Sequence, residues 1–252
     1  MISLRALAVW RRNFLVWKKL AIPSLLGNLA DPMIYMFGLG YGLGGLLPQV
    51  GGTSYIAFLA AGTMCASTMN AASFEALYSA FSRMHVQKTW EAIMNAPLSL
   101  DDILAGELLW AASKATLSGT AILVIMALLG FVAGPQALWV LPLIFLTGLA
   151  FAALGLCVTA VAVSYDFFMY YFTLFVTPMM LMSGVFFPLN QLPPLLQGVA
   201  QALPLTHAVA IARPLLLGQE PQAVMLHLAV LAATAGVAYL IAVMLTRRRL
   251  LR

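Results

Sequence analysis

Long apolar stretches separated by short polar breaks organise the whole chain. Between Lys19 and Arg83 there is no lysine or arginine, and the only acids are Asp31 and Glu75. That interval holds two apolar runs, residues 24–47 and 55–80, split by the turn-forming Pro48-Gln49-Val50-Gly51-Gly52. Each run meets the ~20 residues that a helix needs to cross the hydrocarbon core of a bilayer. A polar segment follows from Ser82 to Asp102, carrying Arg83, His85, Lys88, Glu91, Asp101 and Asp102. Between Lys114 and Arg213 the only charge is Asp166. Runs 103–131, 137–163 and 167–187 fit the next stretch, with breaks at Gly134-Pro135 and Ser164-Tyr165-Asp166. A last run, 223–245, ends in Arg247-Arg248-Arg249. The pattern predicts an all-α membrane protein of six transmembrane helices, forming a single domain over 1–252.

Two segments fit neither a span nor a simple loop. In residues 2–20 a helical wheel gathers Arg5, Arg11, Arg12, Lys18 and Lys19 on one face, and Ala6, Val9, Trp10, Asn13, Trp17 and Leu20 on the other. A basic face opposite two tryptophans suits an amphipathic interfacial helix lying along the inner leaflet, with membrane lipid as its partner; a plain juxtamembrane linker is the simpler alternative. Residues 188–221 are broken by Pro188, Pro193, Pro194, Pro204 and Pro214, yet 195–217 remain largely apolar. An external re-entrant helical hairpin meets both demands, because irregular backbone at membrane depth must be buried in protein.

Composition fixes the solvent. Of 252 residues 63% are hydrophobic and 8% charged, against roughly 25% charged in soluble domains, and the mean hydropathy is +0.97. A fold so poor in charge cannot cover itself for water. The net charge of +5 matters through its placement. With both termini cytoplasmic, eleven cations fall on inner segments and one, Arg213, on an outer segment, a decisive bias under the positive-inside rule. Nucleic acid is therefore not the partner that this charge implies. Cys65 and Cys157 lie in apolar runs and read as packing residues. A cleavable signal peptide is not expected, since the basic start is too long and the first apolar run has full membrane length.

Chemistry-bearing motifs are sparse. Gly40-Tyr41-Gly42-Leu43-Gly44-Gly45 spells G-x-G-x-x-G, but a dinucleotide site needs a preceding strand and an acid about 20 residues on, and neither is predicted. The same glycines give G-x-x-x-G at Gly38/Gly42 and Gly40/Gly44, which suits close helix packing. No G-x-x-x-x-G-K-[ST] loop and no H-E-x-x-H occurs, and His85, His207 and His227 lie in three separate segments, so nothing reads as an enzyme site. Glu75, in the inner part of the second span, either faces a protein or water-filled interior or pairs with Lys114 or Arg83; it reads as a gate or proton carrier or as a snorkelled interfacial acid, and the balance favours the interfacial acid. Asp166 reads as a helix cap in a short inner turn. Thr89 to Pro97 reads as a short amphipathic helix with Trp90, Ile93 and Met94 on its apolar side. Either membrane surface or a partner's groove has to cover that side. Ser99 to Asp102 offers an N-terminal cap to the third span. Phe168, Tyr171, Phe172 and Phe175 recur at helical spacing on the fifth run, as an aromatic lining for a conduit or as ordinary packing.

Several of these stretches together resemble the type-2 ABC exporter permeases, in their NodJ-like (nodulation-factor and lipo-oligosaccharide exporter) branch. The matching pieces are Asp31-Pro32 with the Gly38–Gly45 run, the Thr89–Leu98 helix, Thr177-Pro178 through Ser183-Gly184-Val185-Phe186-Phe187-Pro188-Leu189 and Gln191-Leu192-Pro193, and Leu203-Pro204-Leu205-Thr206-His207 with Ala212-Arg213-Pro214. The resemblance implies a bacterial inner-membrane permease that forms a homodimer and binds two copies of a separate ABC ATPase. It makes residues 82–102 a cytoplasmic loop whose coupling helix meets that ATPase through Trp90, Glu91, Ile93 and Met94. It makes 1–20 the interfacial helix and 188–221 the external hairpin. ATP and magnesium would belong to the ATPase, with no cofactor in this chain. Phe168, Phe172 and Phe175, with Glu75, are the residues put forward for a path that moves an amphipathic or lipid-linked saccharide cargo. Two other readings stay open: an ion-coupled secondary transporter using Glu75 and Asp166, for which no internal repeat speaks, and a membrane-bound enzyme or scaffold.

Overall fold

The computed structural model describes residues 4–47, 49–50 and 52–251; Ile2 and Ser3 of the predicted first helix, and Pro48 and Gly51 of the predicted turn, lie outside them. Helix α1 (Ala6–Lys18) is followed by α2 (Ala21–Ile34), which runs on through a π-helical turn to Gly42. The turn is a minimal antiparallel pair, β1 (Gln49–Val50) and β2 (Thr53–Ser54), closed over Gly52 at φ +80°. Then come α3 (Tyr55–Phe74), prolonged by π turns to Val86, and the short α4 (Thr89–Met94). The remainder comprises α5 (Leu100–Leu128), α6 (Val140–Val161), α7 (Asp166–Tyr171) continuing through a π turn into α8 (Thr177–Met182), α9 (Pro194–Gln201), α10 (Pro204–Leu216) and α11 (Val224–Leu250).

Local chemistry explains several boundaries. At the start of α5, the Ser99 hydroxyl accepts from the Asp102 amide while the Asp102 carboxylate accepts from the Ser99 amide, closing the reciprocal cap that the sequence suggested. Asp166 is different. It occupies the first turn of α7, and no side-chain cap is made there, so the capping role expected of it is not found. The π turn at Phe172–Val176 stands directly before Thr177-Pro178. Pro178 has no N–H and its ring crowds the carbonyl four residues back, and a widened turn relieves that conflict.

Among the described residues three helices are individually long and apolar enough to cross a membrane: Leu100–Leu128, Pro135–Val161 and Val224–Leu250. Two further candidates are bent pairs, Ala6–Lys18 with Ala21–Gly42 at 85° and Pro194–Gln201 with Pro204–Leu216 at 88°, while Asp166–Met182 is shorter. The second predicted span, α3, is rich in Ala, Ser and Thr and almost wholly buried. Its neighbours are the protein's own helices α2, α5, α6 and α10, so it faces protein where a lipid-facing helix would need larger apolar side chains. The outside of the bundle is oily. On α11, Met225, Leu226, Val237, Leu240 and Met244 are exposed, as expected of a surface solvated by lipid rather than water.

Small residues set the close approaches. A Cβ on Gly106 would stand 2.5 Å from Val9 Cβ and 2.7 Å from the Ala6 carbonyl oxygen, so α1 lies against α5 at that point. A Cβ on Gly62 would meet the Val185 carbonyl oxygen at 2.5 Å. The expected Gly38/Gly42 packing is not found among the described residues: a Cβ built on either would meet nothing within 4 Å, whereas one on Gly40 would stand 2.9 Å from Ile56 Cγ1 of α3.

Candidate functional site

One end of the bundle gathers charge beneath the membrane-length helices. Glu75, on the π-helical continuation of α3, is 3% exposed. Its Oε1 accepts from Arg83 Nη2 at 2.9 Å and from Trp110 Nε1 at 2.8 Å, and its Oε2 accepts from Lys114 Nζ at 2.8 Å. Arg83 also grips Glu107, with Nε donating to Oε1 at 2.8 Å and Nη2 donating to Oε2. Trp90 of α4 donates its indole N–H to the same Glu107 Oε1 at 3.1 Å. Two carboxylates and two cations thus neutralise one another in a buried knot that ties α3, α4 and α5 together. Breaking such a knot by removing one partner costs about 3–5 kcal/mol, because a charge is left buried and alone.

Glu75 is therefore a buried, fully partnered acid rather than one that snorkels to the interface. The pairing with Arg83 and Lys114 was among the sequence's options; Glu107 and Trp110 were not foreseen. Their signal was available: Glu107, Trp110 and Lys114 stand at i, i+3 and i+7 on one helix face.

Helix α4 has the orientation opposite to the expected one at its key residue. Trp90 is 1% exposed, so its ring faces the bundle and cannot be the surface that meets a partner. Ile93 and Met94 are half-buried against the core, whereas Glu91 and Ala92 are exposed, followed by Asn95 to Pro97. Helix α1 joins this assembly. Arg5 Nη1 donates to the Pro97 carbonyl at 2.8 Å, and Trp10 Nε1 donates to Ser113 Oγ at 3.0 Å. Trp17 packs edge-on to Trp110 at 5.7 Å. Of its predicted apolar face, Ala6, Val9 and Asn13 are buried, but Leu20 is 64% exposed. The far terminus ends beside it: Arg247 Nε donates to Asp101 Oδ1 at 3.0 Å, and Arg249 Nη1 caps the end of α6 through the carbonyls of Thr159, Ala160 and Ala162. Both chain ends and α4 thus share one end of the molecule.

The opposite end is closed by Arg213 of α10. Its guanidinium donates to the Gly184 carbonyl at 2.6 Å and lies 3.6 Å from the centroid of Phe58.

Midway between the two ends, a groove of about 290 Å³ opens between α2 and α3. Asn28 and Asp31 come from α2, and Thr63, Ser67 and Asn70 from α3, with Tyr35, Phe74 and Phe186 as aromatic walls. Asp31 is exposed there, while Asn28 Nδ2 and Asn70 Oδ1 are buried atoms without a hydrogen-bond partner. The aromatic stripe of the fifth run does not line it as a unit. Phe168 is wholly buried against Tyr78, Phe81 and Tyr165; Phe175 is 61% exposed on the outside; only Phe172 reaches the groove's wall, at 4.5 Å between ring centroids from Phe74. The π turn starting at Phe172 shifts the helical period beyond it and so turns Phe175 away from the face of Phe172. Among the described residues no three His, Cys, Asp or Glu side chains cluster closely enough to hold a metal ion.

Residues 5–217, most of the chain, match the family described as ABC-2 type transporter. The chain belongs to that family. Among known relatives of this ABC-2 permease, Nodulation protein J of Rhizobium leguminosarum bv. viciae is 52% identical over 99% of this chain and 96% of its own length. Nodulation protein J of Rhizobium meliloti (strain 1021) is 51% identical over 97% and 94%. The inner membrane transport permease YadH of Escherichia coli (strain K12) is 25% identical over 81% and 79%. The NodJ-like branch is therefore the permease's own, and the protein is a transport subunit of a family whose members work with a separate ATPase.

Proposed function

We propose that this permease is the membrane half of an ATP-driven exporter in the bacterial inner membrane, working as a dimer of this chain with two copies of an ABC ATPase. The single observation that carries this reading is α4 with its exposed Glu91, Ala92 and Asn95, fastened from behind by Trp90 to Glu107. A short helix held by a buried charge knot, at the end where both termini lie, is a lever that a docked ATPase can push. Displacement of α4 would pass through Glu107 to α5 and through Arg83 and Glu75 to α3, which also carries Ser67 and Asn70 of the groove. Two arrangements of a packed network, biased by nucleotide, are what alternating access requires. Trp90 is then a strut, and Glu91 with Ala92, Asn95 and the half-buried Ile93 and Met94 form the contact surface.

In this reading the chain crosses the membrane six times, with both termini cytoplasmic and the bent pair α9–α10 re-entering from outside. The 85° bend after α1 supports a helix lying in the plane of the inner leaflet. The cargo is an amphipathic or lipid-linked saccharide, which the nodulation-protein relatives and the groove's mixture of amides, hydroxyls, one carboxylate and aromatic rings support. Phe172 belongs to this path, whereas Phe168 packs and Phe175 faces a second copy or lipid. Glu75 serves the coupling knot. With both oxygens engaged by cations, it is poorly suited to ion-coupled transport.

The test is reconstitution. Vesicles holding the permease and its ATPase should accumulate lipo-oligosaccharide only with ATP. Uphill movement by the permease alone, driven by a proton gradient, would overturn the reading. Engineered cysteines at Gln87 and Gln191 should label from the inside and outside respectively; the reverse pattern would invert the topology.

A further inference from the structure

A second cleft, about 490 Å³, lies beside the charge knot between α1, the inner end of α3 and α5. Its lining contains three cations, Arg12, Arg83 and Lys114, against one carboxylate, Glu75. Arg83 and Lys114 are spoken for by Glu75 and Glu107. Arg12 is not. Among the described residues no carboxylate pairs with it, and its Nη1 donates only to the side chain of the next residue, Asn13 Oδ1, at 3.0 Å. Burial first, and the neighbouring Arg83 charge second, push the Arg12 guanidinium below its usual pKa, with Glu107 opposing.

Asn13 makes the case independently. The side chain is 3% exposed, yet its Nδ2 is buried without an acceptor. The amide cannot be turned round to cure this, since its oxygen is held by the Arg12 guanidinium, and reversal would set N–H against N–H. A buried amide donor left unmade costs about 1–3 kcal/mol. Arg12 and Asn13 therefore stand side by side on the wall of this cleft, one with a guanidinium that no carboxylate pairs and the other with an amide donor without an acceptor among the described residues. Val16 and Trp17 form its apolar rim. An oxyanion with several acceptor oxygens is the chemistry that satisfies both donors.

We propose that this cleft binds a phosphate group, carried by the headgroup of an anionic inner-leaflet phospholipid whose acyl portion lies along Val16 and Trp17. The site is independent of cargo and ATPase assignments; it rests only on α1 lying at the leaflet surface. Bound there, the lipid would brace α1 against α5 next to the knot. Free cytosolic phosphate offers the same oxygens without the acyl contact.

The experiment uses the full chain in detergent and follows its thermal unfolding midpoint while short-chain phosphatidylglycerol, the matching diacylglycerol, or inorganic phosphate is added. Phosphatidylglycerol should raise the midpoint saturably, at concentrations about tenfold below diacylglycerol, as expected for a charge-assisted contact worth one factor of ten. Equal stabilisation by inorganic phosphate alone would overturn the lipid source and leave the oxyanion site standing. Arg12→Gln and Asn13→Leu should each weaken the phosphatidylglycerol effect several-fold, with Arg12→Lys recovering part of it. The control is Arg11→Gln, an exposed cation on the same helix. If Arg11→Gln weakens binding as much as Arg12→Gln, or if neither Arg12→Gln nor Asn13→Leu changes it, there is no built site.

Discussion

The indole of Trp90 and the carboxylate of Glu107, 17 residues apart, meet at 3.1 Å, and both side chains are buried. That contact fastens the short α4 to the membrane-length α5. Replacing Trp90 by Phe keeps most of the volume but strips Glu107 of one donor. A hydrogen bond to a charged group contributes about 1.5–3 kcal/mol, so Trp90→Phe should lower the unfolding free energy by roughly that amount. If α4 is the lever, ATP hydrolysis by the complex should persist while its coupling to cargo falls. Loss of ATPase binding instead would mean that the Trp90 strut governs docking rather than coupling.

Reversing the exposed face of α4 tests the docking surface without touching the knot. Ala92→Arg and Glu91→Arg alter residues that the bundle leaves uncovered, and surface changes of this kind usually stay within about 0.5 kcal/mol of the parent stability. Co-purification of the ATPase should drop several-fold with thermal stability unchanged. Unaltered recovery with both variants would remove α4 as the docking element.

The charge knot makes a non-additive prediction. Glu107→Leu alone strands Arg83 beside a single carboxylate and Trp90 without an acceptor, and should cost about 3–5 kcal/mol. Combining it with Arg83→Met removes the stranded charge but also unpairs part of Glu75, which retains Lys114 and Trp110. The double variant should therefore be less damaged than the two single losses added together, by about 1–3 kcal/mol in a double-mutant cycle. Additivity within a few tenths would show that the groups do not act as a unit.

Some of this was legible in the sequence and some was not, for reasons that particular residues make plain. Charge-free runs and their breaks announce helices because every backbone group in lipid must be satisfied internally, and the reciprocal Ser99–Asp102 cap needs only local spacing. The inward turn of Trp90 was not legible, since a six-residue helix presents an apolar side without stating what covers it; membrane, partner and the chain's own bundle leave the same pattern. Phe175 misled because its spacing assumes an unbroken helix, which the π turn from Phe172 to Val176 shifts, and Phe168 misled because spacing does not state that Tyr78, Phe81 and Tyr165 cover it. The groove was hidden for a third reason: Asn28, Asp31, Ser67 and Asn70 come from two helices, and only their packing makes them neighbours.

Asp31 provides the sharpest functional test. In the proposed topology Asp31 lies at membrane depth, where an unpaired carboxylate is unfavourable by about 2.5–3.5 kcal/mol near mid-helix on insertion scales, and by less towards the interface. No side chain among the described residues offsets that cost. Were Asp31 merely tolerated, Asp31→Asn would leave transport intact and hold or raise stability. If instead the groove carries cargo, the same substitution should hold or raise stability while reducing ATP-dependent cargo movement about fivefold or more, the scale of one charge-assisted hydrogen bond exchanged for a neutral one. Asn70→Leu, which removes the facing amide, should act in the same direction. A parallel fall in assembly and transport would assign Asp31 to contact between two copies of the chain. Unchanged transport in both variants would move the path elsewhere.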